Sequence, residues 1–351
     1  MALTSGLMDL PNEIVAIIVG LVEPDDLLSL RAVCKRLSFL AAERFGDKFI
    51  RTRSHLLSPH SLQGLLDIAS HPIFGRFVRC IRINALRLKA FDDPDDDDWD
   101  VDDAYLRLLD SQNKFIMQGA AQEILDNTFS SLRSYGNTLS VGVYVQDRLG
   151  VHSGYGISEL IDPFYDVCLA KYPLEALEML TLAATKSDCS LDEIVLKDCI
   201  TTSHCLPYSF FPPIYPRVVC HTPRFRKLEI SLLVDHMYDV VALGNLLALL
   251  LAENPELEIL HLDLHDSSSL DRDEVYLWLM NISSQILHTI RLTDISMNTE
   301  FLLDFLRKHR STIRNLELAC AINIDEQLRI SRWVDQNLVL DYKSVTSFRD
   351  W

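Results

Sequence analysis

The feature that most constrains the fold of this chain is a six-residue pattern, apolar-x-x-apolar-x-apolar, that recurs along much of its length. The copies span residues 78–83, 177–182, 191–196, 225–230, 257–262, 287–292 and 313–318. From Phe225 onward, successive copies begin 32, 30 and 26 residues apart. Alternating apolar positions are typical of a β-strand, and this spacing leaves room for a helix after each strand. The pattern therefore predicts parallel strands joined by helices.

The segments between the copies support this prediction. Residues 239–252, 273–284 and 299–309 each place apolar side chains at helical spacing, and Asn254 and Pro255 punctuate the end of the first segment. The alternation resembles an irregular leucine-rich repeat, in which each unit is a strand followed by a helix. The resemblance implies an α/β solenoid with a parallel sheet. An ordinary α/β domain is the alternative.

The repeat is irregular in places. Only 14 residues separate the starts at Leu177 and Leu191, which is too few for a full unit, so one of these two copies is not expected to be a repeat strand. Residues 105–135 indicate one long helix or two joined helices. The proline-rich stretch 206–223 predicts a loop that interrupts the repeat.

Outward positions of the predicted strands are candidates for binding a target on the concave face of the solenoid. They are Arg82, Glu229, His261, Arg291 and Glu317. Because their charges are mixed, they favour a protein target over a polyanion.

Composition narrows the class of partner. The chain has 351 residues, 48% of them hydrophobic, and a formal net charge of −17. This acidity argues against nucleic acid or an anionic membrane as the main partner, and the most apolar window, 240–252, is too short to span a bilayer. Eight cysteines without a recognisable signal peptide predict reduced thiols and an intracellular protein, in the cytoplasm or the nucleus.

Nine aspartates lie within residues 92–103. Like charges at this density repel one another, so the run predicts a solvated loop, with contact to a basic partner as the functional alternative. The spacing of a calcium-binding loop is not met. The predicted organisation is a helical module at 1–55, a connecting helix and first strand at 56–90, the acidic loop at 91–104 and the repeat domain at 105–351.

Residues 10–40 contain three short amphipathic segments. Pro11 suits a helix start, and residues 24–26 break that helix before the next begins. Four residues at positions i, i+3, i+4 and i+7 give the first helix an apolar face: Ile14, Ile17, Ile18 and Leu21. Three helices of this size bury too little surface to be self-sufficient. Part of the apolar surface is therefore expected to rest on the remainder of the chain or in a partner's groove.

The ordered elements Leu10-Pro11, Asp26-Leu27-Leu28 and Val33-Cys34-Lys35-Arg36 resemble an F-box. In that family the three-helix module binds the Skp-type adaptor of a cullin–RING ubiquitin ligase, and a plain helical cap is the alternative. Leu37 stands where F-boxes often have tryptophan, which removes aromatic area. The residues that the resemblance assigns to adaptor contact are Leu10, Pro11, Ile14, Leu27, Leu28, Val33, Cys34 and Leu37.

Charge along this segment is polarised. Five acids and no Lys or Arg lie between Asp9 and Asp26, whereas seven basic residues lie between Arg31 and Arg53. A basic half of this kind would steer an acidic adaptor surface mainly through the association rate. Solvated helix faces are the alternative interpretation.

Signals for catalysis and metal binding are weak. The chain has no phosphate-binding loop, no HExxH and no GxSxG, and no acid is placed to complete a triad with Ser153. His261 and His265 would lie about 13 Å apart on a strand, too far for one ion, and His261 with Asp263 would need ligands from neighbouring repeats. A second Cys/His group lacks the paired spacing of a zinc site: Cys199, His204, Cys205, Cys220 and His221.

The sequence therefore predicts a non-catalytic substrate receptor of an SCF-type cullin–RING ubiquitin ligase. The expected partners are the Skp-type adaptor, a cullin held through that adaptor, and an unidentified protein target. No cofactor, metal, nucleic acid or membrane is expected. Two alternatives stay open: an F-box scaffold that acts without ubiquitylation, and an enzyme whose site lies in the repeat domain.

Overall fold

The computed structural model describes residues 7–88, 103–145, 169–171, 173–198, 224–233, 247, 250–252, 254–265, 277–295, 297–320 and 324–347. Several sequence predictions lie outside these residues. They concern the acidic run up to residue 102, the loop around Ser153, the proline-rich stretch 206–223 and the Cys/His group at 199–221.

The described chain opens with short helices. They are a 3₁₀ turn (Leu7–Asp9), α1 (Asn12–Leu21), α2 (Asp26–Val33), α3 (Lys35–Leu40), α4 (Ala42–Phe45) and a π-helical turn (Gly46–Ile50). As predicted, α1 begins directly after Pro11, and α2 begins at the end of the 24–26 break. Cys34 caps α3, because its Sγ accepts a hydrogen bond from the backbone N–H of Leu37 at 3.5 Å.

The described strands, in chain order, are β1 (Thr52–Leu56), β2 (Cys80–Asn84), β3 (Leu86–Leu88), β4 (Leu139–Val145), β5 (Leu169–Lys171), β6 (Leu191–Asp198), β7 (Lys227–Leu233), β8 (Ile259–His265), β9 (Thr289–Ile295), β10 (Asn315–Cys320) and β11 (Tyr342–Ser347). β3 and β5 form a separate antiparallel pair. The other nine strands form one parallel sheet whose spatial order follows the chain order. Each inner strand therefore contacts only its neighbours in sequence, which is the arrangement of a solenoid.

Helices alternate with these strands. They are α5 (Pro59–Ser70), α6 (Asp103–Met117), α7 (Ala120–Arg133), α8 (Pro173–Lys186), α9 (Thr299–Lys308) and α10 (Ile324–Asn337). Residues 250–252 and 277–280 are also helical, within two of the segments for which helices are predicted. The predicted helix at 299–309 corresponds to α9, whose N-terminus is capped by the Asn298 side chain.

The core runs the length of the sheet because one register position is apolar in strand after strand. Seven buried residues pair in this order: Ile81, Val141, Ile194, Leu228, Leu260, Ile290 and Leu316. They pack in one cluster with buried residues of the helices, such as Leu125, Leu177 and Leu302. Burying each such side chain contributes roughly 1.5–3 kcal/mol. The predicted class, a helical module followed by an α/β domain with a parallel sheet, is confirmed.

The copy of the pattern at 177–182 is not a strand, because it lies within α8. Leu177 and Leu180 are buried there together with Ala176 and Ala183. Apolar residues three and four apart also fit one helical face, so the first part of the pattern is shared by both structures. The prediction that one of these two closely spaced copies is not a repeat strand is therefore confirmed, since Leu191 begins β6.

Three strands of the parallel sheet escaped the sequence prediction: the edge strands β1 and β11, and the inner strand β4, where Thr138 stands at the first apolar position of the pattern. In β1, Arg53 and His55 occupy the register positions that Ile81 and Ile83 occupy in β2. At the other edge, Lys343 of β11 breaks the pattern in the same way. β1 also falls inside the predicted helical module at 1–55, so the sheet begins earlier than expected. The domain boundaries themselves stay a prediction.

The helical stretch predicted at 105–135 is two helices. α6 and α7 are separated at Gly119, which has a φ of +79° and precedes the first residue of α7. Glycine adopts this left-handed conformation without the steric cost that a Cβ would bring. The two-helix alternative is therefore the correct one.

Candidate functional site

The helical module has a small core of its own. Its buried members are Val15, Val19, Leu27, Leu37 and Ala41, and they form a cluster separate from the core of the sheet domain. Leu10, Leu30 and Phe49 are among the partly buried residues that pack around this cluster. A core of this size can hold three short helices together but cannot cover all of their apolar side chains.

The α1 apolar face, defined by Ile14, Ile17, Ile18 and Leu21, is exposed along its whole length. Leu21 is 79% exposed and Ile17 61%, whereas Val15 and Val19 on the other side of the helix are 1% and 3% exposed. The helix thus uses two valines to join its module and leaves the larger face uncovered by the described remainder of the chain. Further exposed apolar residues lie on α2 and α3: Leu28, Val33 and Phe39.

The predicted adaptor-contact residues divide into three groups. Pro11, Ile14, Leu28 and Val33 are exposed, and Leu10 and Cys34 are half-buried. The last two, Leu27 and Leu37, are buried in the module core, so their side chains do not reach the surface. They support the surface from beneath, and adaptor contact by the eight residues stays a prediction.

Five further exposed apolar residues of the module lay outside the predicted contact set: Leu7, Ile17, Ile18, Leu21 and Phe39. The helical spacing of Ile17 and Leu21 was visible in the sequence and was the signal for including them. Phe39 lies between Leu37 and Leu40, which are both at least half-buried, so apolar pattern alone does not distinguish it from a core residue.

Two arginines fix the position of α1 within the module. The Arg36 side chain donates from Nε to Asn12 Oδ1 at 2.8 Å and from Nη2 to the Leu10 carbonyl. Arg44 Nη1 donates to the Val19 carbonyl at 2.6 Å, and this carbonyl near the helix C-terminus also accepts from the backbone N–H of Val22 at 3.3 Å. Some of the basic charge predicted to steer an adaptor is therefore used to hold the α1 apolar face in place.

A third arginine joins the module to the sheet domain. The Arg31 guanidinium carbon lies 3.8 Å from the ring centre of Phe45 and 4.8 Å from that of Phe74. Partial burial lowers the pKa of Arg31 from its ordinary value. A Cβ on Gly46 would lie 2.4 Å from the Phe77 ring, so only glycine permits this close approach. The module is thus packed against the sheet domain by cation–π and aromatic contacts.

The sheet face opposite the core carries the predicted target-binding residues in a single row. Backbone pairing places seven residues side by side across strands β2, β4 and β6 to β10, in this order: Arg82, Gly142, Val195, Glu229, His261, Arg291 and Glu317. The structure therefore brings all five predicted residues onto one face, with Gly142 and Val195 separating Arg82 from the other four. The name polar row is used for these seven positions.

Glu229 is the centre of a charge network on this face. Its carboxylate lies 2.5 Å from Lys197 Nζ and 2.9 Å from Lys227 Nζ, and Lys227 also contacts Glu193 at 2.6 Å. Partial burial raises the pKa of Glu229, but the hydrogen bonds from the two lysines outweigh it and lower the pKa to about 2. The pKa of Lys227 rises, because its bonds to Glu193 and Glu229 outweigh the opposing effect of burial. These charges satisfy one another, so the middle of the polar row is internally compensated.

The two ends of the polar row differ from its middle. Near β2 and β4, the Arg82 guanidinium lies 4.9 Å from the Tyr144 ring centre, and burial raises the pKa of Tyr144 to about 12. A Cβ on Gly142 would meet the Tyr144 ring at 2.8 Å, so the glycine lets the ring lie close to the sheet. At the opposite end, Arg291 Nε lies 3.5 Å from Glu317, and Arg291 is exposed.

Other candidate sites find little support within the described residues. His261 and Asp263 are half-buried on β8, and burial lowers the pKa of His261. No group of three or more His, Cys, Asp or Glu side chains able to share a metal occurs among those residues. No described helix has both the length and the hydropathy required to cross a bilayer.

Comparison with known proteins identifies the helical module. The family model described as F-box-like matches residues 7–45, which span the chain from the first 3₁₀ turn to the end of α4. A search among curated proteins found no match for the chain. F-box domains bind Skp-type adaptors, and F-box proteins are in general non-catalytic substrate adaptors, so an SCF-type adaptor role in general is supported. The chain therefore contains an F-box-like domain at residues 7–45.

Proposed function

We propose that this protein is a substrate receptor of an SCF-type ubiquitin ligase. The F-box-like domain binds the Skp-type adaptor, and through it a cullin, while the sheet domain holds a target protein. The chain itself carries out no bond-making step. It raises the local concentration of target lysines at a ubiquitin-loaded enzyme, which is catalysis by proximity.

The observation that supports adaptor binding is the exposure of the α1 apolar face on a helix that is fixed from both ends. Ile17 and Leu21 are more than half exposed, although each is a large aliphatic side chain whose burial contributes roughly 1.5–3 kcal/mol. Contiguous exposed apolar residues commonly mark interaction sites. A helical face with anchors at i, i+3, i+4 and i+7 fits the groove-binding mode of protein recognition.

The test is adaptor capture with full-length protein co-expressed with a Skp-type adaptor. The Ile17→Asp/Leu21→Asp variant should lose the adaptor, because charge would enter an apolar interface. The matched control is Leu328→Asp/Val339→Asp, which places the same two charges at exposed apolar positions elsewhere and should retain binding. Failure of the unaltered protein to capture the adaptor, or equal capture by both variants, would contradict the proposal.

The target surface is proposed to be the polar row. In support, it is the sheet face left free of the core, and it presents Arg82, His261 and Arg291 around the compensated Glu229 network. Proteins captured by the full chain should be lost after an Arg82→Glu/Arg291→Glu change, while adaptor capture is unchanged. Retention of every captured protein by this variant would place the target elsewhere.

Degradation and scaffolding are distinguished by the fate of a captured target. If the chain is a receptor, the captured protein should become longer-lived in cells that carry the Ile17→Asp/Leu21→Asp variant. An unchanged lifetime of the target, with target binding intact, would favour the scaffold alternative.

A further inference from the structure

A second concave surface lies away from the polar row, at the edge where the parallel strands begin. It encloses about 400 Å³ and crosses the starts of β1, β2, β4 and β6. Its lining is called the rim trough and consists of Arg51, Arg79, Thr138, Ser140, Ser190, Leu191, Asp192, Arg226 and Glu256. None of the sequence predictions used this surface.

The end of the rim trough beside the F-box-like domain carries two adjacent arginines. The backbone N–H of Arg79 donates to the Arg51 carbonyl at 2.9 Å, so the two residues lie on neighbouring segments. Both side chains are exposed. Like charges placed opposite one another on neighbouring strands destabilise a sheet. No ion pair to either side chain occurs within the described part of the chain.

Arg226 of the rim trough and the neighbouring Arg224 are compensated. Arg226 donates to both carboxylate oxygens of Glu258 at 2.8 Å and lies 3.7 Å from Asp192, and Arg224 pairs with Glu256 at 3.1 Å. In a chain of net charge −17, acids are abundant enough to pair with every arginine. Among the three arginines that line the rim trough, Arg51 and Arg79 are therefore the two whose charge no described acid compensates.

The geometry of Arg79 favours an external anion. Its Nη1 donates to the carbonyls of Arg76 and Val78 at 2.9 and 3.4 Å. These hydrogen bonds hold one of the three nitrogens of the guanidinium group in place. A guanidinium has five N–H donors, so Nε and Nη2 remain for a ligand. A held guanidinium loses less freedom when it binds a carboxylate or phosphate in bidentate fashion.

Next to the arginines, the middle of the rim trough carries hydroxyl groups. Thr138 and Ser190 are exposed and Ser140 is half-buried. Within the described residues, none of these three hydroxyls takes part in a hydrogen bond, whereas the backbone N–H of Ser140 donates to the Arg79 carbonyl at 2.8 Å. They are neutral groups able to donate to further oxygens of a bound chain.

We propose that the rim trough binds an extended acidic peptide segment, with an oxyanion at Arg51 and Arg79 and the neighbouring residues along Ser140 and Ser190. Since strands lie about 4.8 Å apart, the four segments from Arg51 to Asp192 span roughly 15 Å, the length of four or five extended residues. The oxyanion is a carboxylate or a phosphate, because the two share this chemistry. The assignment of the peptide to a target rests on the proposed function, whereas the binding itself does not.

The experiment measures fluorescence anisotropy of labelled hexapeptides with purified full-length protein. Three peptides are compared: one with two central glutamates, one with a phosphoserine and one with glutamines in place of the glutamates. The variant Arg51→Ala/Arg79→Ala is matched by Arg310→Ala/Arg332→Ala, which removes the same charge from exposed arginines elsewhere. Thermal unfolding checks that each variant is folded.

We expect at least one acidic peptide to bind, and the affinity of the glutamine peptide to be lower by about tenfold or more. The affinity of the acidic peptide should fall as the salt concentration rises. The Arg51→Ala/Arg79→Ala variant should weaken binding by about tenfold or more, and the control pair by less than about twofold. Preference for phosphoserine or for glutamate identifies which oxyanion is bound. Equal loss in both variants, equal binding of the glutamine peptide, or no binding of either acidic peptide would overturn the proposal.

Adaptor capture by the same two variants separates this proposal from the proposed function. Retained adaptor capture with lost peptide binding supports a distinct site. Loss of adaptor capture in Arg51→Ala/Arg79→Ala alone, with peptide binding unchanged, would overturn the assignment and place these arginines at the adaptor interface.

Discussion

In the F-box-like domain, five residues form the core, while other large apolar side chains such as Leu21 and Phe39 face outward. In the sheet domain, apolar residues of successive strands point to one side and form a continuous core, while the other side carries ionised groups paired with one another. The difference teaches where each region obtains its stability. The sheet domain completes its core within one chain, whereas the small module needs a partner to cover the α1 apolar face.

The largest effect should come from the sheet core. Replacing Leu260 by Ala, at a fully buried position of β8, should lower the free energy of unfolding by about 2–5 kcal/mol, because it leaves a cavity in a packed interior. Urea unfolding followed by circular dichroism measures the change. Ile17→Ala, on the exposed helix face, is the control and should stay within about 0.5 kcal/mol. Similar losses in the free energy of unfolding in both variants would show that the two regions do not differ in this way.

Acid should affect the sheet domain more than the module. Burial, assisted by the charge of Arg53, lowers the pKa of His55 from 6.5 to about 4, and burial does the same for His309. Because the unfolded chain takes up these protons first, stability should fall as the pH drops from about 6.5 to about 4, by up to about 3 kcal/mol for His55.

Unfolding at several pH values tests this effect. His55→Leu restores the apolar residue type found at the same register position in later strands and should flatten the pH dependence. An unaltered slope in His55→Leu would show that burial of this histidine does not govern the response.

The two sides of α1 should respond differently to truncation. Val15→Ala should lower the stability of the module by about 1–3 kcal/mol, because Val15 is buried. Ile17→Ala should leave stability unchanged and weaken adaptor binding by about 1–3 kcal/mol. Calorimetric titration with the adaptor and thermal unfolding provide the two measurements. A stability loss in Ile17→Ala would mean that this face already packs against the chain.

The smallest effect is expected from the polar row. Glu229→Gln should lower the free energy of unfolding by about 1 kcal/mol at neutral pH, since the partly exposed bridges to Lys197 and Lys227 are screened by solvent. The pKa of Glu229 is lowered from 4.5 to about 2, so its contribution is present above about pH 4.5 and is lost as the pH falls toward 2. Salt should reduce the effect further.

Glu300→Gln serves as the control for Glu229→Gln, because Glu300 pairs with Arg329 in a more exposed setting. The loss in the free energy of unfolding should be smaller for Glu300→Gln, because solvent screens this pair more strongly. Equal losses in the two variants would show that the lysine bridges do not stabilise the sheet.

Much of the fold could be predicted because inner strands repeat one apolar pattern. Residues 257–262, 287–292 and 313–318 predicted β8, β9 and β10, since each strand there buries the same register positions. The pattern failed at the edges, where an edge strand has one neighbour and tolerates Arg53 or Lys343. It also missed the inner strand β4, where Thr138 replaces the first apolar residue. It also failed at Leu177, where apolar spacing of three residues fits a helix equally well.

The sites were less predictable than the fold. The F-box-like segment could be identified from its ordered residues, but not which leucines face outward, because Leu27 and Leu28 are chemically identical and only packing places one in the core. The rim trough could not be predicted at all. Its lining comes from positions as far apart as Arg51 and Glu256, and no local pattern links residues across such a distance.

The sequence by itself determined the class of each region: a short helical module with an F-box-like pattern, followed by strands and helices in alternation. These properties follow from the local period of apolar residues and from breaks such as Pro24, both of which are visible in the sequence itself. The tertiary structure alone decided which side chains stay exposed, how Glu229 is compensated and that Arg51 lies beside Arg79. Those properties depend on register between strands and on packing between distant segments, which no single stretch of sequence specifies.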